Sequence, residues 1–145
     1  MTEARYEFAS PAWLAAIGAL VAERLADVDL SGVTFSFSEE FTDPPAHLRR
    51  PGHDTVGWHY RITDGVLEIG GEPVDADLKV VADYATILPL SRTVLEGDDG
   101  AARAAAAVVA EAEAAGRYRR EGRPPRWPQL AGLAGVHDDI ARLTS

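Results

Sequence analysis

The stretch VGWHYRITDGVLEIG, residues 56–70, decides the fold of this chain. Asp64-Gly65 at its centre is a strong short-range signal for a β-hairpin, because both central positions of a type I′ turn need a positive φ. A two-residue turn pairs Thr63 with Val66, and every further pair follows from that register. One face then collects Trp58, Tyr60, Ile62, Leu67 and Ile69, and the other collects His59 and an Arg61–Glu68 ion pair.

Two elements are predicted ahead of the hairpin. Ser10-Pro11 indicates the start of a helix over about 11–28, because Ser caps free backbone donors and Pro fits the first helical position. From Val33 to Phe41 the apolar residues alternate with a period of two, which predicts a half-buried strand. Residues 42–55 contain three prolines and no periodicity, and form the longest irregular segment.

Strands and helices also follow the hairpin. In chain order we expect a strand over 76–82, a helix over 84–96 broken or kinked at Pro89, an alanine-rich helix over 100–115, an edge strand around Tyr118, and a last helix in the tail 128–145. Asp83 and Asp98-Asp99 are placed to cap the first two of these helices. The order predicts one α+β domain over 1–145, with helices on one face of a mainly antiparallel sheet.

Composition limits the classes of function. The 145 residues include 46% hydrophobic and 26% charged residues, with a net charge of -9 and no cysteine. We expect a cytoplasmic protein with no integral membrane segment and no nucleic-acid partner, since nucleic acids and anionic membranes select basic surfaces. A single Lys among 14 basic residues, together with abundant alanine, is typical of a GC-rich bacterial genome.

Five pieces together resemble the sterol-carrier-protein (type two) domain family. They are the leading amphipathic helix, FSFSEEF at 35–41, the hairpin at 56–70, DADLKVVADYATILPLSR at 75–92 and GRYRREG at 116–122. The resemblance covers most of residues 11–123. It implies a five-stranded sheet with helices on one side, enclosing an apolar cavity for lipids or other hydrophobic molecules. The alanine-rich helix departs from the family, where many members have a shorter stretch rich in Met and Phe.

A hydrophobic small molecule is therefore the expected ligand, bound without catalysis. Large aromatic residues on the sheet face small residues on the helices, and that mismatch of size favours a cavity over a solid core. The residues expected to bind the ligand are Phe35, Phe37, Trp58, Tyr60 and Ile62 on the sheet and Ile87, Leu88, Leu90 and Val94 on the helices.

The alternative is a small enzyme, a hydrolase or isomerase of a lipophilic substrate, with its base in the 42–59 segment. His53 and His59 are the candidate bases, because imidazole titrates near neutral pH. With His47 they follow an H-x5-H-x5-H pattern, which matches no metal-ligand spacing, so we expect no metal and no cofactor.

A third hypothesis concerns residues 117–126, RYRREGRPPR, which carry five Arg and one Glu. This segment could bind an acidic protein partner. The more ordinary interpretation is a solvated edge strand, protected by its charge against pairing with another sheet edge.

Overall fold

The hairpin forms the edge of a five-stranded sheet in the computed structural model, which describes residues 4–145. The strands are β1 (Phe35–Thr42), β2 (Val56–Thr63), β3 (Val66–Gly70), β4 (Leu78–Asp83) and β5 (Tyr118–Gly122), arranged in the order β3-β2-β1-β4-β5. The β1–β4 pair is parallel and the other three pairs are antiparallel. The predicted α+β class with a mainly antiparallel sheet is therefore confirmed.

The predicted hairpin register is also confirmed. Thr63 lies opposite Val66 and Tyr60 lies opposite Ile69, while Asp64 and Gly65 have φ angles of 47° and 82°. The predicted Arg61–Glu68 ion pair is wrong for the described part of the chain. The two residues face each other in register but form no ion pair; both side chains are exposed, where an ion pair gains little free energy.

The helices are α1 (Pro11–Leu25), α2 (Tyr84–Ser91), α3 (Asp99–Ala114) and α4 (Val136–Leu143), and short 3-10 helices lie at Ala46–Leu48 and Pro128–Leu133. The predicted caps are present: Ser10 accepts from the backbone N–H of Trp13 at 3.2 Å, and Asp98 from that of Ala101 at 2.9 Å. Asp83 likewise accepts from the backbone N–H of Thr86 at 3.1 Å.

Three helix boundaries differ from the prediction. α1 ends at Leu25 rather than at residue 28, and α2 ends two residues after Pro89 instead of continuing to residue 96. Proline removes a backbone donor and crowds the preceding turn, so the helix cannot be extended far beyond it. The predicted tail helix is divided by Gly135, whose φ of 79° suits a chain reversal rather than a helix.

The core lies between the helices and the sheet face that carries Phe35 and Phe41. Phe8 packs against Trp13 and Phe41, with ring centroids 5.0 and 4.8 Å apart. The Trp13 indole N–H donates to Thr144 Oγ1 at 2.9 Å, which attaches the end of the chain to α1. None of the helices within 4–145 combines the length and apolarity needed to span a membrane.

The opposite face of β1 is also covered. Ser36 and Ser38 are buried, although the alternation predicts them on an open face. The chain between β3 and β4 crosses them: Ser38 Oγ accepts from the N–H of Val74 at 3.0 Å, and Ser36 Oγ from that of Asp77 at 2.9 Å. Both faces of β1 are therefore inside the protein.

Candidate ligand-binding site

Four aromatic rings form the inner face of the sheet. Phe37 pairs with Tyr60 across β1 and β2, so alternate residues of both strands point to the same side. The Phe37 ring lies 5.6 Å from the rings of Trp58 and of Tyr60, and the Phe35 ring lies 6.2 Å from that of Tyr60. Burial raises the pKa of Tyr60 to about 12, as expected for a phenol in apolar surroundings.

A cavity of about 310 Å³ lies against these rings. The tail of the chain lines it on the other side, with apolar side chains of the Pro128–Leu133 helix and α4. The apolar residues that line it are Val21, Phe35, Phe37, Trp58, Tyr60, Leu78, Pro125, Leu133, Val136 and Ile140. The walls are therefore almost entirely apolar.

A second cavity, of about 510 Å³, lies under α3. The α3 residues that line it are Ala102, Ala105, Ala106, Val109, Ala110 and Glu113. Alanine side chains end at Cβ and cannot reach across to the sheet, so the space between the two layers stays open. Ile87 and Leu90 from α2 line the same cavity. The alanine-rich sequence of this helix thus leaves space for a cavity beneath it, as the composition predicts.

Glu39, His137 and Ile140 line both cavities. Glu39 is on the inner face of β1, between Phe37 and Phe41, and its carboxylate Oε1 accepts from the indole N–H of Trp58 at 3.0 Å. Burial raises the pKa of Glu39 from 4.5 to about 7, and the Trp58 hydrogen bond offsets part of that rise. The residue as a whole is half-buried, and it lines both cavities.

His137 is the second polar residue common to the two cavities. It lies in the first turn of α4, and its Nε2 is 2.9 Å from the backbone carbonyl of Thr93. A carbonyl oxygen only accepts, so Nε2 carries the hydrogen. The ring is thereby fixed against the turn that follows α2.

The structure divides the nine residues predicted to bind ligand into three groups. Phe35, Phe37, Trp58 and Tyr60 line the smaller cavity, and Ile87 and Leu90 line the larger one. The other three line neither. Ile62 is completely buried in the solid core, Leu88 packs against that core, and Val94 is 36% exposed because α2 ends before it.

Sequence reasoning missed Glu39, His137 and the apolar residues of the tail as parts of this site. A signal for Glu39 was present, because it has the same odd-numbered parity as Phe35, Phe37 and Phe41. Alternation alone therefore puts a carboxylate on the apolar face. For His137 the sequence holds no comparable signal, since its position depends on how the tail folds back.

The candidate catalytic histidines are located elsewhere. His53 is exposed in the loop before β2. His59 points to the opposite face of the sheet, where its Nδ1 lies 2.7 Å from the carbonyl of Glu72. Neither lines either cavity, and His47 pairs with Glu7 at 2.9 Å. No cluster of three His, Cys, Asp or Glu able to hold a metal occurs in the described range 4–145.

The arginine-rich segment 117–126 includes β5, which is the exposed edge of the sheet next to β4. Arg119 pairs with Glu121 at 2.6 Å, and the Arg120 guanidinium lies 5.5 Å from the centre of the Tyr118 ring. The predicted edge strand is confirmed. Binding of an acidic protein to it stays a prediction.

No protein-family model and no curated protein sequence matches the chain. Among solved structures it is similar to a conserved hypothetical protein from Thermus thermophilus, described as a possible sterol carrier protein, at 16% identity and a TM-score of 0.47 over 99% of this chain and 94% of that chain. Sterol carrier protein 2 is similar at 18% identity and a TM-score of 0.49, over 96% of this chain and 100% of that chain. A UbiJ-SCP2 ubiquinone synthesis protein is similar at 16% identity and a TM-score of 0.38, over 94% and 96%. The first is described as possibly a sterol carrier protein, and the descriptions of the other two name sterol carrier protein 2 or SCP2.

Proposed function

We propose that the protein binds a hydrophobic small molecule between its sheet and its helices, without catalysing a reaction. The observation that carries this proposal is the pair of adjoining cavities, of about 310 and 510 Å³, under the aromatic face of the sheet. Pockets of roughly 300–1,000 Å³ with mainly apolar walls and a few polar groups are typical of small-molecule sites.

The driving force for binding would be the burial of apolar ligand surface, at about 25 cal/mol per Å². The aromatic rings provide most of the contact area on the sheet side, and the alanines of α3 leave the space that a ligand would fill. Glu39 and His137 are the polar groups best placed to orient the ligand, because each lines both cavities.

The amino-acid composition supports a location in the cytoplasm and argues against a nucleic-acid partner. The chain has no cysteine, which suits a reducing compartment, and its net charge of -9 disfavours nucleic acid as a partner. Secretion of the full-length protein into an oxidising compartment of its native host would contradict the proposed cytoplasmic location.

Native mass spectrometry and a titration with 1-decanol test the binding. We expect protein purified without added ligand to retain an apolar molecule, and delipidated protein to bind 1-decanol with a 1:1 stoichiometry. Ile140→Phe places a ring in the wall shared by both cavities and should weaken 1-decanol binding at least tenfold.

Val108→Phe is the matched control. Val108 is exposed on α3 and lines neither cavity, so an added ring there should leave the affinity unchanged. Ala105→Phe, which fills the larger cavity from α3, provides a second blocking variant should Ile140→Phe fail to fold. Equal affinities in the control and in the folded blocking variants would exclude these cavities as the site.

A further inference from the structure

The two polar residues that the cavities share both present hydrogen-bond acceptors. Oε1 of Glu39 is occupied by the Trp58 indole, whereas Oε2 has no hydrogen-bond partner within the described residues. Among the described residues, Arg50 Nε is the one buried side-chain atom that lacks a hydrogen-bond partner, so Oε2 of Glu39 is accessible rather than sealed in the protein. This oxygen can therefore accept a hydrogen bond from a molecule bound in the cavities.

His137 presents an acceptor for a different reason. Its Nε2–H donates to the Thr93 carbonyl, so in the neutral imidazole the lone pair is on Nδ1. No other hydrogen bond of this ring occurs among residues 4–145. Glu39 comes from β1 and His137 from α4, so two separate elements bring polar side chains to the wall that the two cavities share.

No positively charged side chain within the described range pairs with Glu39. The pKa of Glu39 is governed by its burial and by the Trp58 hydrogen bond, with no contribution from a positive side chain. Arg120 lines the larger cavity, but its guanidinium lies over the Tyr118 ring and interacts with Glu113. A buried carboxylate without a cation is unfavourable, and a positively charged ligand would relieve it.

We propose that the two cavities form one site selective for apolar amines, with the ligand's ammonium group held at their junction by Glu39 and His137. An ammonium brings three donors and a positive charge, and an alcohol brings a single donor. A carboxylate brings only acceptors and a negative charge next to Glu39. This inference rests on the proposed function and assigns the ligand class for the same site.

Three ligands of equal chain length test the selectivity: octylamine, 1-octanol and octanoate, each titrated calorimetrically into delipidated protein at pH 7.5. We expect octylamine to bind about ten- to hundredfold more tightly than 1-octanol, the range for hydrogen bonds to a charged group. Octanoate should bind most weakly of the three.

Glu39→Gln removes the charge and retains an oxygen for the Trp58 indole. It should fold, because it relieves the burial of a charge, and it should reduce the preference for octylamine over 1-octanol at least tenfold. Glu40→Gln is the matched control: the adjacent carboxyl points to the other face of β1, where it accepts from Thr55 at 2.7 Å and pairs with Lys79 at 3.3 Å. This variant should retain the full preference.

Proton release gives a second readout. An ammonium next to Glu39 holds that carboxyl ionised, so octylamine binding at pH 6 should release more protons in the wild type than in Glu39→Gln. Calorimetry in two buffers of different ionisation enthalpy measures this release. The other titratable side chains lining the cavities are Tyr60, Glu113, Tyr118, Arg120 and His137, and all are retained in that variant.

The outcomes separate the two proposals. Equal binding of all three ligands, or an undiminished preference in Glu39→Gln, would overturn the amine site while the apolar site stands. Absence of binding by all three would contradict the apolar site as well. Loss of the preference in Glu39→Gln alone, with proton release in the wild type, would support both.

Discussion

Two neighbouring carboxyl groups on β1, those of Glu39 and Glu40, have pKa values shifted in opposite directions. Burial raises the pKa of Glu39 to about 7, with only the Trp58 indole opposing it. For Glu40, burial also acts to raise the pKa, but the Thr55 hydrogen bond and the charges of Lys79 and Arg50 together outweigh it and lower the pKa. Alternation along the strand separates them by one residue and puts them in different environments.

Glu39→Gln should therefore stabilise the protein increasingly as pH rises. A carboxyl whose folded pKa exceeds its unfolded value contributes full stability below pH 4.5, and that contribution is lost as pH rises towards 7. Relative to the wild type, the free energy of unfolding of Glu39→Gln should rise by up to about 3 kcal/mol between about pH 4.5 and pH 8. Urea denaturation of both proteins at the two pH values measures the difference.

Glu40→Gln provides the opposite case on the same strand. The lowered pKa of Glu40 in the folded protein stabilises the wild type at neutral pH, and this stabilisation is lost on acidification. The free energy of unfolding of Glu40→Gln should therefore fall furthest below that of the wild type at about pH 8. A common pH trend in the two variants would show that the carboxyls do not occupy the different environments described above.

Among the elements, features that depend on adjacent residues could be predicted from the sequence, whereas burial by a distant segment could not. The Asp64-Gly65 turn fixes the hairpin register through two adjacent residues. The burial of Ser36 and Ser38 depends instead on a crossing segment about 36–41 residues further along the chain. Alternation identifies which residues share a face, and it cannot show that a later segment covers the polar one.

α3 gives the clearest link between composition and cavity. Ala105 faces the larger cavity, whereas Ala104 is exposed on the other side of the helix. Each buried CH₂ adds about 0.8 kcal/mol to binding, so affinity for straight-chain alcohols should rise with length until the cavity is full. In Ala105→Phe that rise should stop at a shorter chain than in the wild type.

Ala104→Phe is the control, with the same ring on the exposed face of the same helix. Its chain-length profile should follow the wild type, as measured by calorimetry with alcohols from 1-hexanol to 1-dodecanol. An unchanged profile in Ala105→Phe would mean that the ligand does not extend under α3.

At the scale of the whole molecule, the candidate site is assembled from both ends of the chain. The tail closes the smaller cavity through Leu133, Val136 and Ile140, and Thr144 is held by the Trp13 indole. The sequence predicts an apolar tail at helical spacing, but not the face on which it packs. Four of the five predicted sheet residues line a cavity, because the pairing of β1 with β2 determines their positions. The position of His137 beside Glu39 at the shared wall depends instead on how the tail packs.

Stability should accordingly be uneven across the molecule, and a ligand should change it most at α3. α1 has 15 residues, five of them buried, while α3 has 16 residues and only Ala112 buried. Amide hydrogens in α3 should therefore exchange with solvent faster than those in α1, since local opening of α3 exposes little apolar surface.

Octylamine at a hundred times its Kd stabilises the protein by about 2.7 kcal/mol, and contacts with the ligand replace the empty space beneath α3. Deuterium exchange followed by mass spectrometry should show slower exchange in α3 on addition of octylamine, with a smaller change in α1. The Glu39→Gln protein at the same octylamine concentration is the control, because weaker binding should leave α3 close to its free state. Equal slowing of exchange in both helices would indicate uniform stabilisation and would argue against α3 as the wall that closes over the ligand.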